Sequence, residues 1–134
     1  MFEPLVRFEL RTPLAKWLPW ATMTFTGRRT GAAMLVTVFW YETPDGPVVF
    51  SPNRWRYNFT EPRAVIVTRA GQTRHFDAHL HRDPAEVVGV MNELRSRGVR
   101  APGGLWTPRS RAITVDDLVA VPTELLRFVP NPES

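Results

Sequence analysis

Hydrophobic and polar residues alternate along the first half of the chain in a way that predicts short strands. Residues 21–26 alternate with a period of two, and residues 33–42 are rich in β-branched and aromatic side chains. The second run is apolar on both faces, which hold Met34, Val36, Val38 and Trp40 on one side and Leu35, Thr37, Phe39 and Tyr41 on the other. Because a strand of this kind is covered on both sides, we expect it to pack against a helix or a second copy of the chain.

Turn and cap signals divide the rest of the chain. Thr43-Pro44-Asp45-Gly46 predicts a turn, Asn53 can begin a short helix, and Asp83-Pro84 is a typical helix start. The predicted elements after the second strand are, in order, a strand over 47–51, a short helix over 54–59, strands over 63–69 and 73–82, a helix over 83–98, a loop over 99–113, a short helix from Thr114, and a closing strand over 124–129.

This order of six strands and a few short helices predicts a mainly β protein with peripheral helices, built as a small antiparallel barrel. A chain of 134 residues is long enough for one domain with its own core. We assign residues 1–20 to an N-terminal segment, 21–82 to the barrel core, and 114–130 to the C-terminal helix and closing strand. Since the strand over 33–42 has two apolar faces and one small barrel covers only one of them, we also expect a homodimer.

Composition narrows the function classes. The chain has no cysteine, which excludes disulfides, thiolate metal sites and a cysteine nucleophile. The net charge of +4 comes almost entirely from arginines spread along the chain, so it favours anionic partners without indicating nucleic acid. Only Arg54-Trp55-Arg56-Tyr57 interleaves bases with aromatic residues. No apolar run approaches the ~20 residues of a membrane helix, and the start lacks an apolar signal core, so we expect a soluble cytoplasmic protein without membrane insertion.

The segment Gly27-Arg28-Arg29-Thr30-Gly31, between the first two strands, is a candidate anion site. Its glycines allow a tight reversal, which is expected to present unpaired backbone N–H groups, hydroxyls and two guanidinium groups at one rim. Such a rim suits a phosphate group, because arginine offers a planar and permanently charged donor pair. A turn that is merely solvated has the same composition, so the segment alone leaves both interpretations open.

A row of polar residues on the fifth strand has the composition of a metal site. His75, Asp77, His79 and His81 fall on one face, because side chains alternate along a strand. A linear row does not surround an ion without ligands from elsewhere, so we expect a polar outer face and no metal.

The turn, together with two later features, resembles the deazaflavin-dependent nitroreductase family, within the split-barrel flavin and deazaflavin oxidoreductases. Members carry a Thr-Thr-Gly-Arg-Lys-Ser-Gly turn between two strands, which stands here as Phe25-Thr26-Gly27-Arg28-Arg29-Thr30-Gly31. Their third strand ends in a serine, matched by Ser51, and a Trp-x-x-Asn-Leu helix follows, matched by Trp55-Arg56-Tyr57-Asn58-Phe59. The likeness extends over residues 12–80, where spacing and order match as well as residue types.

The resemblance implies a split antiparallel β-barrel of the FMN-binding type. It also implies an enzyme that transfers a hydride between coenzyme F420, or alternatively FMN, and a small organic acceptor. The cofactor-binding residues that it implies are Thr26, Gly27, Arg28, Arg29, Thr30, Gly31, Ser51, Trp55 and Asn58. Tyr57, Tyr41 and Ser51 are the candidates for a proton donor. An apolar wall of Phe39, Trp40 and the N-terminal segment is expected beside the cofactor.

Two departures from the family pattern bear on cofactor binding. The family usually has a basic residue shortly after the second glycine, where this chain has Gly31-Ala32-Ala33-Met34, and often another after the serine, where this chain has Pro52. We therefore expect a weakened grip on phosphate and weak cofactor retention. The alternative function is a non-catalytic split-barrel protein that binds or carries a cofactor or another anionic ligand. A nucleic-acid-binding module is the third hypothesis.

Overall fold

Seven strands form one antiparallel sheet in the computed structural model, which describes residues 20–105, 107–108, 110–119 and 122–131. The strands are β1 (Trp20–Thr26), β2 (Ala33–Phe39), β3 (Tyr41–Thr43), β4 (Gly46–Ser51), β5 (Arg63–Arg69), β6 (Gln72–His81) and β7 (Glu124–Pro130). Their order across the sheet is β2-β1-β5-β6-β7-β4-β3. Apart from Trp20, the predicted N-terminal segment lies outside the described residues.

One α-helix and three 3₁₀ helices accompany the sheet in the described part of the chain. The α-helix is α1 (Pro84–Ser96), and the 3₁₀ helices span Arg54–Phe59, Pro102–Gly104 and Val115–Leu118. The Asp83 side chain accepts a hydrogen bond from the backbone N–H of Ala85 at 3.1 Å, which satisfies one free donor at the start of α1. Gly98 follows the helix at a φ of 107°, a value that favours glycine. Both predicted boundary signals of α1 are confirmed.

The predicted strand over 33–42 was wrong in one respect, because it is interrupted at Trp40. β2 ends at Phe39 and β3 begins at Tyr41, and the two lie at opposite ends of the strand order. The chain therefore crosses from one edge of the sheet to the other at Trp40, and the sheet has seven strands where six were predicted. The Trp40 ring fills this corner, with its centroid 4.8 Å from that of Phe128 and 5.5 Å from that of Phe76. Alternation continues through the corner, so periodicity alone does not reveal it.

Two apolar clusters lie on opposite faces of the sheet. The interior cluster is built from inward-facing residues of the strands together with Phe59 of the first 3₁₀ helix. The second cluster joins the outer faces of β4 and β7 to α1, and it includes Val48, Leu125 and Met91. α1 and the segments that follow it thus cover one part of the outer face, which confirms the mainly β fold with peripheral helices.

The two apolar faces predicted for residues 33–42 have different surroundings in the structure. Trp40 is 4% exposed within the single chain, and the Tyr41 hydroxyl accepts a hydrogen bond from the N–H of Gly103 at 3.2 Å. Phe39 remains 51% exposed and Ile66 40% exposed. The chain itself therefore covers Trp40 and Tyr41, at the end of this apolar stretch. The burial of Trp40 no longer requires a second copy of the chain. None of the helices in the described ranges combines the length and the apolar character required to cross a membrane.

Candidate functional site

The turn between β1 and β2 is held in shape by its own hydrogen bonds. The N–H of Gly27 donates to the carbonyl of Ala32 at 2.8 Å, and the N–H of Gly31 donates to the carbonyl of Gly27 at 3.0 Å. Gly31 has a φ of 70°, which an L-residue rarely adopts. A Cβ on Gly27 would lie 3.2 Å from Sδ of Met34, a tight contact that glycine avoids. The local geometry therefore requires glycine at position 31, whereas a side chain at position 27 would need a small shift of the Met34 side chain.

Asn58 connects this turn to the 3₁₀ helix Arg54–Phe59. Its Oδ1 accepts a hydrogen bond from the backbone N–H of Arg28 at 2.7 Å, and its Nδ2 donates to the carbonyl of Trp55 at 2.8 Å. The hydroxyl of Thr30 accepts from the N–H of Ala32 at 3.2 Å. Most N–H groups of the turn are thus satisfied internally. The sequence predicted a rim of unpaired N–H groups at this turn. The structure leaves only the N–H groups of Arg29 and Thr30 without an acceptor among the described residues.

A cavity of about 530 Å³, which we call the tip cavity, lies between the turn and the 3₁₀ helix. It is lined by Gly27, Arg28, Arg29, Thr30, Met34, Arg54, Trp55, Tyr57 and Asn58. The guanidinium groups of Arg29 and Arg54 have no hydrogen-bond or ion-pair partner within the described ranges, and that of Arg28 has only a 3.4 Å contact with the Thr60 hydroxyl. Three arginine side chains without a carboxylate partner in the described residues therefore line one concave surface. Their uncompensated positive charge favours an anionic ligand.

The apolar wall of the tip cavity consists of Met34, Trp55 and Tyr57. The Trp55 ring is fixed from behind by the rings of Phe25 and Phe59, whose centroids lie 6.2 and 6.3 Å away. Phe39 and Trp40, which were expected to form a wall beside the cofactor, line a different cavity beside β3 and do not line the tip cavity. The reason is the corner at Trp40, which carries them away from the turn.

A polar network that the sequence did not indicate lies under the 3₁₀ helix. Arg56 is only 5% exposed, and its Nε donates to Oε1 of Glu124 at 2.8 Å, while Arg82 donates to Oε2 at 3.0 Å. Arg56 also donates to the Tyr57 hydroxyl at 2.8 Å and to the carbonyl of Pro52. Burial opposes the ionisation of Glu124, but the hydrogen bonds from the two arginines outweigh it and hold the pKa of Glu124 below its ordinary value. Glu124 lies 68 residues from Arg56, so no local spacing signals this pair.

The structure brings seven of the predicted site residues together around the tip cavity and places four elsewhere. Thr26 is exposed at the end of β1 and does not line the cavity, and neither does Gly31. Ser51 is 3% exposed, and its hydroxyl accepts a hydrogen bond from the N–H of Asn53 at 3.0 Å. Tyr41 lies in the second apolar cluster, where burial raises its pKa. Of the three proton-donor candidates, only Tyr57 reaches the cavity.

The histidine row lies on the outer face of β6, because the residues between its members are buried inside the barrel. His79 and His81 have ring centroids 5.0 Å apart, and His81 pairs with Glu86 at 3.0 Å. Asp77 accepts a hydrogen bond from the Asn131 side chain at 2.9 Å. In the part of the chain that the structure describes, no group of three or more His, Cys, Asp or Glu residues is arranged to hold a metal ion.

Comparison with solved structures identifies the fold. The chain is similar to HutZ, the heme storage protein from Vibrio cholerae, with a TM-score of 0.54 and 18% identity over 96% of this chain and 89% of that one. It is also similar to an FAD and heme binding protein from Mycobacterium smegmatis, with a TM-score of 0.54 and 17% identity over 87% of this chain and 62% of that one. No family model matches the sequence, and no curated protein matches it. The predicted split-barrel fold is thereby confirmed.

Proposed function

We propose that the chain binds a flavin-type or deazaflavin cofactor in the tip cavity and acts as an oxidoreductase on a small organic acceptor. The observation that carries the proposal is the meeting of Arg28, Arg29 and Arg54, none with a carboxylate partner in the described residues, beside the Trp55 ring. A cofactor of this class combines phosphate groups with a flat aromatic system, and the cavity offers cations for the first and an indole for the second. The two neighbours, whose names refer to heme and FAD, support a cofactor-binding role.

The residue types that line the cavity suit such a group. Gly27 keeps the floor of the cavity free of a Cβ, and the amides of Arg29 and Thr30 add two donors to the guanidinium groups. Coenzyme F420 is the cofactor that the sequence resemblance favours, and FMN is the alternative. Either one, when bound, supplies the hydride chemistry. The chain supplies orientation, a partly apolar surface and a hydroxyl.

Tyr57 is the residue that we assign to proton transfer. Its hydroxyl accepts a hydrogen bond from Arg56 at 2.8 Å, and the Arg56 and Arg82 guanidinium groups lie 4.3 and 5.3 Å from its ring centroid. These contacts fix the position of the ring, and because the hydroxyl oxygen is the acceptor in its bond with Arg56, its own proton is not used by that bond. Tyr57→Phe should therefore lower the rate of acceptor reduction, because the proton donor is lost, and should weaken cofactor binding by less than about tenfold, because at most one neutral hydrogen bond to the cofactor is removed.

A non-catalytic cofactor carrier is the second candidate function. It is favoured by the name of HutZ, a storage protein, and by the family's usual cations being absent after Gly31 and Ser51. Among the described residues, the lining of the tip cavity has no histidine, and Tyr57 and Met34 are its residues of types that ligate heme iron in other proteins. The carrier predicts tight binding without turnover.

The test is a titration followed by a turnover assay. Coenzyme F420, FMN and hemin are each titrated into the protein, and reduced F420 is then mixed with a nitroaromatic acceptor and followed by its absorbance. F420 or FMN binding with oxidation of the reduced coenzyme above the rate without protein supports the reductase. Binding without oxidation supports the carrier. The cofactor proposal fails if only hemin binds or if none of the three does.

We further propose that two copies of the chain associate through the exposed part of the outer sheet face. Phe39 and Ile66 are 51% and 40% exposed there, and the Trp20 ring stacks on Phe39 with centroids 6.4 Å apart. Large apolar side chains grouped on a sheet face are typical of an interface. Sedimentation should give about twice the chain mass of 15.3 kDa at micromolar concentration, and Phe39→Lys should return the monomer. A monomeric unmodified protein contradicts this proposal.

A further inference from the structure

A second cavity, of about 520 Å³, lies between the C-terminal end of α1 and the described residues of the segments 98–100, 107 and 111–112. We call it the loop cavity, and it has no lining residue in common with the tip cavity. Most of its lining residues are basic or polar. The side chains that could contact a ligand through charge or a hydroxyl are those of Arg95, Arg100, Arg111 and Thr107. The proposed cofactor function makes no use of this part of the molecule.

The three arginines of the loop cavity differ in what they already bind. Arg111 forms an ion pair with Asp117, and the hydrogen bonds from Arg111 lower the pKa of Asp117 to about 2, so the pair stays ionised near neutral pH. Arg95 donates to the carbonyls of Arg111 and Pro108 at 2.9 and 2.8 Å, which leaves its charge without a carboxylate in the described residues. Arg100 has no partner within those ranges. Two cationic charges at this cavity are therefore uncompensated.

Thr107 supplies the second observation. It lines the loop cavity, it is only 6% exposed, and its hydroxyl oxygen is shielded from water and has no hydrogen-bond partner among the residues that the structure describes. Buried hydroxyls are nearly always hydrogen-bonded, because the loss of water is otherwise unfavourable. The other two polar side chains of the lining are already engaged, since Asn92 exchanges hydrogen bonds with the N–H and carbonyl of Ile113 and the Ser96 hydroxyl donates to the carbonyl of Glu93. The cavity thus holds one buried hydroxyl in need of an acceptor beside two cations in need of an anion.

The helix end next to the cavity does not oppose an anion as strongly as a free helix end would. The carbonyl of Leu94 accepts from the N–H groups of Arg97 and Val99, and the carbonyl of Arg95 accepts from the N–H of Gly98. These caps reduce the partial negative charge that the last turn directs outwards.

We propose that the loop cavity is a binding site for a phosphate group, either as inorganic phosphate or as the phosphate of a small monoester, held by Arg100, Arg95 and the Thr107 hydroxyl. A tetrahedral oxyanion accepts hydrogen bonds in several directions at once, so it can satisfy the two guanidinium groups and the hydroxyl together. The volume exceeds that of a bare phosphate and leaves room for a small organic substituent. This site is independent of the tip cavity and of the cofactor proposed there.

The test is an amide NMR titration of the intact chain, whose mass of 15.3 kDa suits the method. Inorganic phosphate and glycerol 3-phosphate are titrated separately to about 20 mM, a range that covers millimolar affinity. Sodium chloride at matched ionic strength is the reference. The titrations are repeated in Arg29→Gln, which should weaken phosphate binding at the tip cavity, and the affinity is read from the amides at the loop cavity alone. Three variants are made in that background: Arg100→Gln, Thr107→Val and, as a matched control outside the cavity, Arg97→Gln.

The proposal predicts saturable shifts of the amides of residues 98–112 with phosphate and not with chloride. Arg100→Gln and Thr107→Val should each weaken this binding about tenfold, and Arg97→Gln, which removes an exposed charge paired with Glu93, should change it less than about twofold. Tighter binding of glycerol 3-phosphate than of phosphate identifies a monoester as the preferred ligand. The proposal is overturned if the shifts are absent, equal in chloride, or equally weakened by all three variants. Thr107→Val preserves the side-chain volume, and Arg100 is exposed, so Arg100→Gln decides the matter even if the other variant does not fold.

Discussion

Arg54 and Arg56 lie two residues apart on the same 3₁₀ helix and have opposite surroundings. Arg56 is 5% exposed and donates to Glu124, to the carbonyls of Pro52 and Asn53, and to the Tyr57 hydroxyl. Arg54 is exposed at the tip cavity and has no partner in the described residues. A guanidinium whose charge is paired with a carboxylate of the chain supports the fold, whereas one without such a pair keeps its charge for a ligand. The chain's basic residues therefore divide into a structural part and a part that we propose binds the cofactor.

The largest expected effect concerns the structural member of this pair. Arg56→Met should lower the free energy of unfolding by about 3 kcal/mol, because it leaves the partly buried Glu124 with only the exposed Arg82 as its counter-charge. Arg54→Met is the matched control and should change the same quantity by less than about 0.5 kcal/mol. Urea denaturation of the two variants measures both values. Equal losses would remove the distinction between the two arginines.

The binding side of the comparison is tested by Arg29→Ala. Its guanidinium lines the tip cavity without a partner in the described residues, so its loss should remove a charge-assisted hydrogen bond and weaken cofactor binding roughly 10- to 100-fold. Stability should stay within about 0.5 kcal/mol of the unmodified protein. Fluorescence titration with F420 and thermal melting check the two parts. Unchanged F420 affinity would exclude Arg29 from a phosphate-binding role.

We expect Asn58 to stabilise the fold more than it binds the cofactor, although it lines the tip cavity. Its amide joins the backbone of Arg28 to that of Trp55, so Asn58→Ala should cost about 1–2 kcal/mol of stability. Cofactor affinity should fall less in Asn58→Ala than in Arg29→Ala. Melting curves and titrations of both variants provide the measurement, and a stable Asn58→Ala protein with abolished binding would contradict this assignment.

The Arg56 network also predicts how stability depends on pH. The pKa of Glu124 is lower in the folded chain than its ordinary value of 4.5, so its contribution is present above about pH 4.5 and is lost as the pH falls through the folded pKa. Glu124→Gln removes this titration, and its stability should decline less steeply than that of the unmodified protein below pH 4.5. Unfolding curves at several pH values between 7 and about 3 make the comparison. If the stability of the two proteins falls equally steeply below pH 4.5, Glu124 is not responsible for the acid sensitivity.

The smallest expected effect is that of Met34→Arg. The family's cation is missing near this position, but Arg28, Arg29 and Arg54 already line the cavity, so we expect a gain in cofactor affinity of only about threefold. Titration at two salt concentrations measures it, and a steeper salt dependence in the variant would show that the new charge reaches the ligand. A gain above about tenfold would mean that the existing arginines contribute little.

The strand alternation and the helix caps predicted most of the fold, because these signals act over a few residues. Asp83, Gly98 and Gly31 lie where their conformational preferences place them. Periodicity failed at Trp40, since the chain turns a corner there and the indole fits the barrel interior whether or not the strand continues. A corner depends on which strands close the barrel, and that is a property of the whole sheet.

For the candidate site as well, the sequence predicted what depends on local spacing and not what depends on tertiary contacts. The residues of the tip cavity lie on two segments that are close in sequence, and the spacing of their motifs indicated them. Arg56 was grouped with its basic neighbour by composition alone, and nothing near it in sequence indicates Glu124, 68 residues away. Ser51 has the predicted position at the end of a strand, but the adjacent turn occupies its hydroxyl. Which polar groups are saturated by the fold is decided by tertiary contacts, and local sequence does not contain them.

A crystal structure of the protein grown with coenzyme F420 tests the central claim most directly. The account predicts that the phosphate-bearing chain of F420 lies in the tip cavity, with phosphate oxygens about 2.7–3.0 Å from the Arg29 guanidinium and Arg54 within ion-pair distance. It also predicts that Arg56 keeps its bond to Glu124 in the complex. F420 bound with its phosphate away from Arg28, Arg29 and Arg54, or an Arg56 that leaves Glu124 to contact the ligand, would contradict it.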